Sequence, residues 1–279
     1  MSQPDYRRAS AKSGLIFVVI LASCLAQAGA FFLLSVSDWA RRFQVVSVIV
    51  GSSVFPAVLV AGALWYRRAQ QTRRAGEVAA LERAGFRTVE RPTEEQRREF
   101  FAPLAHLGAT LDLQGGASKL KWFAVEGGGG SPARRVFEHE YTTGGGRTTQ
   151  LFPHTVVAWP EGHAELLRRS SNLARAPWFM MVRLTRMQRR FRKDAELKLP
   201  EFATLSEDWF FRGDPATAKQ FLAPSLERFV RRSPVGEEWS VGAGWICCSF
   251  KGILDAEGIV SFLDHSRQTL AAALSERRS

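Results

Sequence analysis

The sequence predicts a membrane-anchored α+β protein, in which a two-helix transmembrane hairpin is followed by a soluble domain of antiparallel strands with flanking and C-terminal helices. Two long stretches, 14–36 and 43–66, contain no charged residue. A bilayer core of roughly 30 Å needs about 20 apolar residues in a helix, so each stretch is long enough to span. Beyond them, β-rich runs alternate with glycine turns and amphipathic helices. The predicted organisation is a basic tail (1–13), the hairpin (14–66), a membrane-proximal helical segment (67–118) and an α+β domain (119–279).

The predicted hairpin has the properties of an anchor. Only six residues, 37–42, separate the spans, so the two helices must run antiparallel. Neither span contains an ionisable residue, whereas proton relays, ion paths and voltage sensors normally need one. The lipid bilayer is therefore the first expected partner, contacted through two integral spans.

Basic residues around the spans predict the topology. Seven flank the outer ends of the hairpin, and only Arg41 and Arg42 lie in its loop. This asymmetry places both termini in the cytoplasm and the hairpin in the inner (cell) membrane. Trp65 and Tyr66, at the exit of the second span, suit the interfacial positions that aromatic side chains prefer.

The cysteines leave one alternative open at the N-terminus. Leu21–Cys24 resembles a bacterial lipobox, and processing there would lipidate Cys24. The chain stays apolar to Val36 instead of continuing as a polar tether, which favours an unprocessed helix. The other two cysteines, Cys247 and Cys248, are adjacent, and no disulfide framework is indicated.

Two helices are predicted in the membrane-proximal segment. The first leaves the membrane over 67–85, with Gly85 as its C-cap, and its arginines are expected to lie against the headgroups. The second begins at Thr93 as N-cap and ends near Gly108.

Strands are expected from residue 120 onward. Leu120–Val125 is the first, and the runs 134–143 and 148–159 are joined by three glycines that indicate a hairpin. Pro153 indicates a sheet edge or a bulge in the second run. Residues 179–184 form a strand followed by a short basic helix.

The C-terminal third combines strands with capped helices. Asp208–Arg212 is a predicted strand, and Asp214 with Pro215 begins a helix to about Val230 that Pro224 breaks or kinks. Residues 238–250 form a hairpin around Gly242–Gly244. The last helix begins at Asp255 or Ala256.

Taken together, three of these motifs resemble those of a known group of proteins. A hairpin of the form VFEHEYTTGGGR…TVVAWP is followed by FFRGDPATAKQFLAPSLERFV and a W-x-V-x-G-x-G strand pair. The pattern resembles an uncharacterised group of bacterial membrane-anchored proteins with N-terminal transmembrane spans and a cytoplasmic α+β domain carrying a YTTGGG-type hairpin. The resemblance implies fold and location. It implies no activity, and no catalytic residue is carried over from it.

Candidate chemistry is sparse. His139 and His154 lie on paired runs, and with Glu138 or Glu140 they would make a metal or acid–base set; strand histidines in solvent are the expectation favoured here. Cys247 and Cys248 are predicted as one buried and one exposed structural residue rather than as a nucleophile. No P-loop, Rossmann, GxSxG or HExxH motif is present, so neither a cofactor nor a metal is expected.

The favoured function is a non-enzymatic, membrane-tethered scaffold or binding module. The alternatives are an anionic-lipid-binding domain that uses the basic segment 183–193, and an enzyme with an unrecognised site. A protein partner is compatible with the first, and nucleic acid is not expected because basic residues are not interleaved with aromatic ones. The candidate contacts for an anionic surface are Arg67, Arg68, Arg73, Arg74, Arg183, Arg186, Arg189, Arg190, Arg192 and Lys193.

Overall fold

A computed structural model gives the fold. It describes residues 44–89, 93, 95–96, 117–127, 132–143, 150–163, 173–190, 196–222, 226 and 230–275. Within these, only the backbone is described for 44–59, 117–119, 121, 141–143, 150–152, 189–190 and 275. By their internal contacts the residues form two units, with the boundary between Glu77 and Val78.

Helix α1 (Gln44–Arg83) is continuous through Pro56 and contains residues 44–66 of the second predicted span. It ends as predicted, because Gly85 adopts a φ of +84° and donates to the Glu82 carbonyl. The first predicted span lies outside the described residues. Among residues with described side chains, no helix is both long and apolar enough to cross a bilayer.

The second unit is built on an eight-stranded antiparallel sheet, which confirms the predicted α+β class. The strand order is β1-β2-β3-β4-β8-β7-β5-β6. The strands are β1 (Phe86–Val89), β2 (Ala117–Glu126), β3 (Arg135–Thr143), β4 (Gln150–Pro160), β5 (Phe179–Arg183), β6 (Trp209–Gly213), β7 (Glu237–Gly242) and β8 (Trp245–Lys251).

The predicted strands 120–125, 134–143, 148–159 and 208–212 correspond to β2, β3, β4 and β6 with shifted ends. Residues 179–183 form β5 and Arg186–Arg190 form a short helix, α2, as the sequence predicted. Strand β1 was not predicted; it lies in a segment that the sequence assigned to helices. Its four residues are too few to show a clear alternation.

One face of the sheet carries the main core. Trp159 on β4 stacks on Trp239 on β7, with ring centroids 6.1 Å apart and planes 13° from parallel. Phe221 packs against Trp239 at 5.7 Å. The long C-terminal helix, α4 (Ala256–Ser275), covers this face with Ile259, Phe262, Leu263, Leu270 and Leu274.

The opposite face is buried as well. Phe137, Val156 and Cys247 are fully buried in a second apolar cluster, whereas Cys248 belongs to the main core. The two cysteines therefore point to opposite faces, as predicted. The prediction that one of them is exposed is wrong, because the sheet is covered on both sides.

Helix starts follow the predicted capping. Helix α3 (Pro215–Phe221) begins after Asp214, whose carboxylate accepts from the Thr217 N–H at 2.7 Å. Asp255 caps α4 in the same way, accepting from the Gly258 N–H at 2.8 Å. Helix α3 ends at Phe221, and Leu226 and Val230 are again helical, so the helix predicted to about Val230 is interrupted after Phe221, as the sequence predicted from Pro224.

The predicted hairpin around Gly242–Gly244 is confirmed as a two-residue turn between β7 and β8. Ala243 and Gly244 have φ values of 52° and 84°, so both central residues are in the left-handed region that type I′ turns require. The turn is held from outside, because Gly244 donates to the Ala174 carbonyl and accepts from the Glu161 N–H.

Pro153 is not on an edge strand, which corrects the prediction for β4. This strand lies between β3 and β8 in the sheet. The Pro153 carbonyl accepts from Gly252, so its nitrogen also faces the β8 side, just past the last paired residues, His154 and Lys251. The missing N–H removes only the second bond of this terminal pair, and the Gly252 carbonyl accepts from Thr155 Oγ1 at 3.3 Å instead.

Candidate functional site

A band of exposed apolar and aromatic side chains lies on α1. Val60 is 58% exposed, Leu64 61%, Trp65 53% and Tyr66 48%. The next residues, Arg67 and Arg68, are also exposed. Burying such side chains is worth roughly 1.5–3 kcal/mol each, so their exposure to water is unfavourable. The sequence of apolar residues, paired aromatics and then cations matches the order of environments from a bilayer core to its headgroups.

The other two basic residues of this segment have a different role. Arg73 Nε lies 3.0 Å from Glu77 Oε1, and Arg74 Nη1 lies 3.5 Å from Glu77 Oε2. Glu77 is fully buried, while both arginines are about three-quarters buried. The two guanidinium groups thus compensate a buried carboxylate one helical turn away. Of the four predicted basic residues on α1, Arg67 and Arg68 are therefore the exposed ones.

Another part of the predicted basic set lies at the connection between β5 and α2. Arg183, largely buried, lies 3.5 Å from Asp208 and donates to the Arg231 carbonyl at 3.3 Å. Thr185 and Gln188 cap α2 reciprocally: Thr185 Oγ1 accepts from the Gln188 N–H, and Gln188 Oε1 accepts from the Thr185 N–H. This arrangement exposes Arg186 and leaves Met187 69% exposed.

The remaining basic residues of the predicted segment are located only in part. Arg189 and Arg190 belong to α2, where the backbone alone is described, and Arg192 and Lys193 lie outside the described residues. Three further basic residues are exposed at the same end of the sheet and were not predicted as contacts: Arg231, Arg232 and Lys251. The Arg231-Arg232 pair is visible in the sequence, but its closeness to residues 183–186 follows only from the order of the strands in the sheet.

His139 and His154 face each other across the β3–β4 ladder, and the prediction that they lie in solvent is wrong. His139 is fully buried and His154 is 7% exposed, with ring centroids 5.3 Å apart and planes 14° from parallel. Burial lowers the pKa of His139 to about 4. Burial, with the nearby His139 and Lys251, lowers the pKa of His154 to about 3. Both imidazoles are therefore neutral at pH 7.

The neutral pair does not form a metal centre in the described part of the chain. Stacked rings direct their nitrogens side by side rather than at one point, and no group of three or more His, Cys, Asp or Glu side chains there could hold an ion. Glu138 was considered from the sequence as a partner of the two histidines. Its side chain lies on the opposite face of the sheet and accepts from Trp122 Nε1 at 3.2 Å.

A buried polar cluster joins β7 to α4. Ser233 Oγ donates to Glu237 Oε1 at 2.7 Å, Trp239 Nε1 donates to the same oxygen at 2.8 Å, and His265 Nε2 lies 3.3 Å from Glu237 Oε2. Nucleophilic catalysis needs the serine proton directed at the imidazole and the acid bound to its other nitrogen. Here the serine and the acid meet the same nitrogen, and the serine proton goes to the acid. The cluster therefore fits a structural tie between sheet and helix.

A second cluster lies where β2 ends. Glu126 bonds His163 Nε2 at 2.9 Å and Arg134 at 3.0 Å, while the Arg134 guanidinium lies over Phe86 at 4.8 Å. The hydrogen bond from His163, supported by the charge of Arg134, holds the pKa of Glu126 below its usual value. The cluster links β1, β2 and the loop after β4.

The buried thiols are unsuited to nucleophilic chemistry. Burial, reinforced by Glu238, raises the pKa of Cys247, and burial with the nearby Glu237 raises the pKa of Cys248. Since the thiolate is the reactive form, both thiols are inert at neutral pH.

Comparisons of the chain with protein-family models, curated proteins and solved structures give no match.

Proposed function

We propose that the protein is a membrane-tethered, non-enzymatic domain that acts as a scaffold or binding module at the cytoplasmic face of the inner membrane. The helical hairpin 14–66 is its anchor, and the α+β domain is the part that binds. This is also what the resemblance to bacterial membrane-anchored proteins implies.

The exposed band on α1 is the observation that carries the proposal. Val60, Leu64, Trp65 and Tyr66 lie within seven consecutive residues, on a helix whose preceding residues 43–59 contain no charge. A water-exposed helix of this composition would be strongly disfavoured, whereas lipid would receive the apolar side chains and the headgroup region would receive Trp65 and Tyr66. Arg67 and Arg68 would then meet the anionic headgroups.

The buried polar groups support a non-enzymatic role. Glu237, Ser233 and His265 bind one another and are shielded from solvent, and the thiols of Cys247 and Cys248 are held protonated. These groups serve packing, so a binding function of the domain surface is the better-supported reading.

Membrane fractionation of the full chain tests the anchor. The chain is expected to resist alkaline carbonate extraction. A Val54→Arg substitution at the centre of the second span should release a measurable fraction, because a central arginine costs about 2.5–3.5 kcal/mol of insertion free energy. The matched control is Val260→Arg on the exposed side of α4, which should remain fully membrane-bound. Complete extraction of the unmodified chain by carbonate would overturn the proposal.

A further inference from the structure

Two loops meet at the end of the sheet where β5 finishes, β7 starts and β8 finishes. Gly236 donates to the Arg183 carbonyl at 2.9 Å, and Lys251 donates to the Gly236 carbonyl at 3.0 Å. Arg183 Nη1 donates to the Arg231 carbonyl at 3.3 Å. Three hydrogen bonds thus fasten the loop after β5, the loop before β7 and the last residue of β8 to one another.

The side chains exposed here are either basic or apolar. Arg186, Arg231, Arg232 and Lys251 are exposed cations, and Met187 (69% exposed) and Val235 (40%) are two of the few large apolar side chains exposed in the described part of the chain. We call this group of six residues the basic corner. The carboxylates near it include Asp208, which lies 3.5 Å from Arg183, the exposed Glu207, and the buried Glu237, which accepts from Ser233.

We propose that the basic corner contacts the anionic surface of the lipid bilayer and gives the domain a second attachment to the membrane. The inference deepens the proposed function and rests on it, because the anchor holds the domain at the membrane. It goes beyond the segment 183–193 by assigning the loop 230–236 and Lys251 to the same surface.

Charge and shape favour a lipid surface as the occupant. Each basic residue near an anionic leaflet is attracted to it, and four of them act together, most strongly at low salt. Met187 and Val235 are single projecting side chains, suited to entering the headgroup region, and they do not form the contiguous apolar core that a stable protein interface needs. A contact this weak becomes effective when an anchor keeps the local concentration high.

The corner is also preorganised. The capping pair of Thr185 and Gln188 fixes the start of α2, and the Arg183–Asp208 contact fixes the base of the loop. Since these segments are already ordered by the sheet, binding costs little conformational entropy.

Hydrogen exchange of the full chain in lipid nanodiscs tests the proposal. Discs of neutral phosphatidylcholine are compared with discs that also contain phosphatidylglycerol, at about 0.05 and 0.5 M salt. We expect amide exchange in both 184–190 and 230–236 to slow by about fivefold in anionic discs at low salt and to recover at high salt. The double variant Arg186→Glu/Arg232→Glu should abolish the protection.

The matched control is Arg87→Glu/Lys219→Glu. It makes the same change of charge at exposed residues outside the basic corner, and it should retain the protection. Equal exchange of both loops in neutral and anionic discs would overturn the basic corner while leaving the anchor intact. Failure of the chain to co-purify with any disc would instead overturn the anchor, and this proposal with it. Protection in neutral discs by an added oligonucleotide, with none from anionic lipid, would identify nucleic acid as the ligand and overturn the lipid assignment.

Discussion

His139 and His154 stack face to face across β3 and β4, 5.3 Å between ring centroids, inside a sheet that is buried on both faces. Neither ring can be protonated without placing a charge in this site. Lys251 lies opposite His154 in the β4–β8 ladder, and its charge opposes protonation of His154 further by lowering the pKa.

The histidine pair predicts a loss of stability in acid. Burial lowers both pKa values, to about 4 and about 3, so the unfolded chain binds protons first as the pH falls below about 6.5. Stability is therefore full above that pH and decreases towards pH 4, by on the order of 2 kcal/mol per histidine at pH 5. Urea unfolding of the full chain in mild detergent at pH 7, 6 and 5 measures this dependence.

The variant His139→Gln/His154→Gln separates the pair from other titrating groups. It should be less stable at pH 7, because the stacked rings are lost, but its stability should depend less on pH between 7 and 5. An unchanged pH slope in the variant would contradict the assignment.

The buried carboxylate of Glu237 is expected to stabilise the fold. Glu237→Gln removes the charge that Ser233, Trp239 and His265 surround, and it places an amide N–H₂ near His265 Nε2. We expect a loss of about 2 kcal/mol in the free energy of unfolding. Glu207→Gln, the same change at an exposed site, should alter it by less than about 0.5 kcal/mol. Denaturant unfolding of both variants measures the two losses of unfolding free energy. Equal losses would refute the stabilising role of the buried cluster.

Replacing Ala243 with glycine is expected to stabilise the fold. Its φ of 52° costs an L-residue about 1 kcal/mol, which glycine avoids. Ala243→Gly should therefore raise the free energy of unfolding by about 0.5 kcal/mol, even though glycine is more flexible when unfolded. The control is Ala271→Gly on the exposed side of α4, which should lower it by about 1 kcal/mol. A loss of stability in Ala243→Gly would show that the turn is not strained.

The cap of α3 predicts a difference between two substitutions of Asp214. Asp214→Ala removes the acceptor of the Thr217 N–H and hydroxyl and should cost about 1 kcal/mol. Asp214→Asn keeps an acceptor oxygen and should stay within a few tenths of a kcal/mol of the native chain. Thermal melts compare the two, and an Asn variant as unstable as the Ala variant would rule out capping as the cause.

The locally encoded features were predictable from the sequence. Asp214–Pro215 marks a helix start because one side chain and one fixed φ suffice to begin a helix. The runs flanking Gly144–Gly146 pair as predicted, from Thr143 with Gln150 onward, because a hairpin is set by neighbouring residues. The short strand-then-helix pattern at 179–190 was likewise resolved correctly.

Features that depend on distant residues were not predictable. The burial of His139 and His154 depends on what covers the second face of the sheet, and strand alternation does not reveal this. The pairing of β5 with β7 joins residues more than fifty positions apart, and it is this pairing that assembles the basic corner. The sequence shows Arg231-Arg232 close to Val235, but these residues predict the basic corner only when the pairing of β7 with β5 is known.

The strand order also has a consequence for synthesis on the ribosome. Strand β4 ends at Pro160, but its second neighbour, β8, begins only at Trp245. At about 5–20 residues per second, synthesis from Pro160 to Trp245 takes roughly 4–17 s, and that edge of β4 stays unpaired during this time. Unpaired edges associate readily with other chains, so the interval is a period of exposure to misassembly. A ribosome stalled before residue 245 should thus present a half-sheet that chaperones bind, whereas release of the last strand and helix closes it.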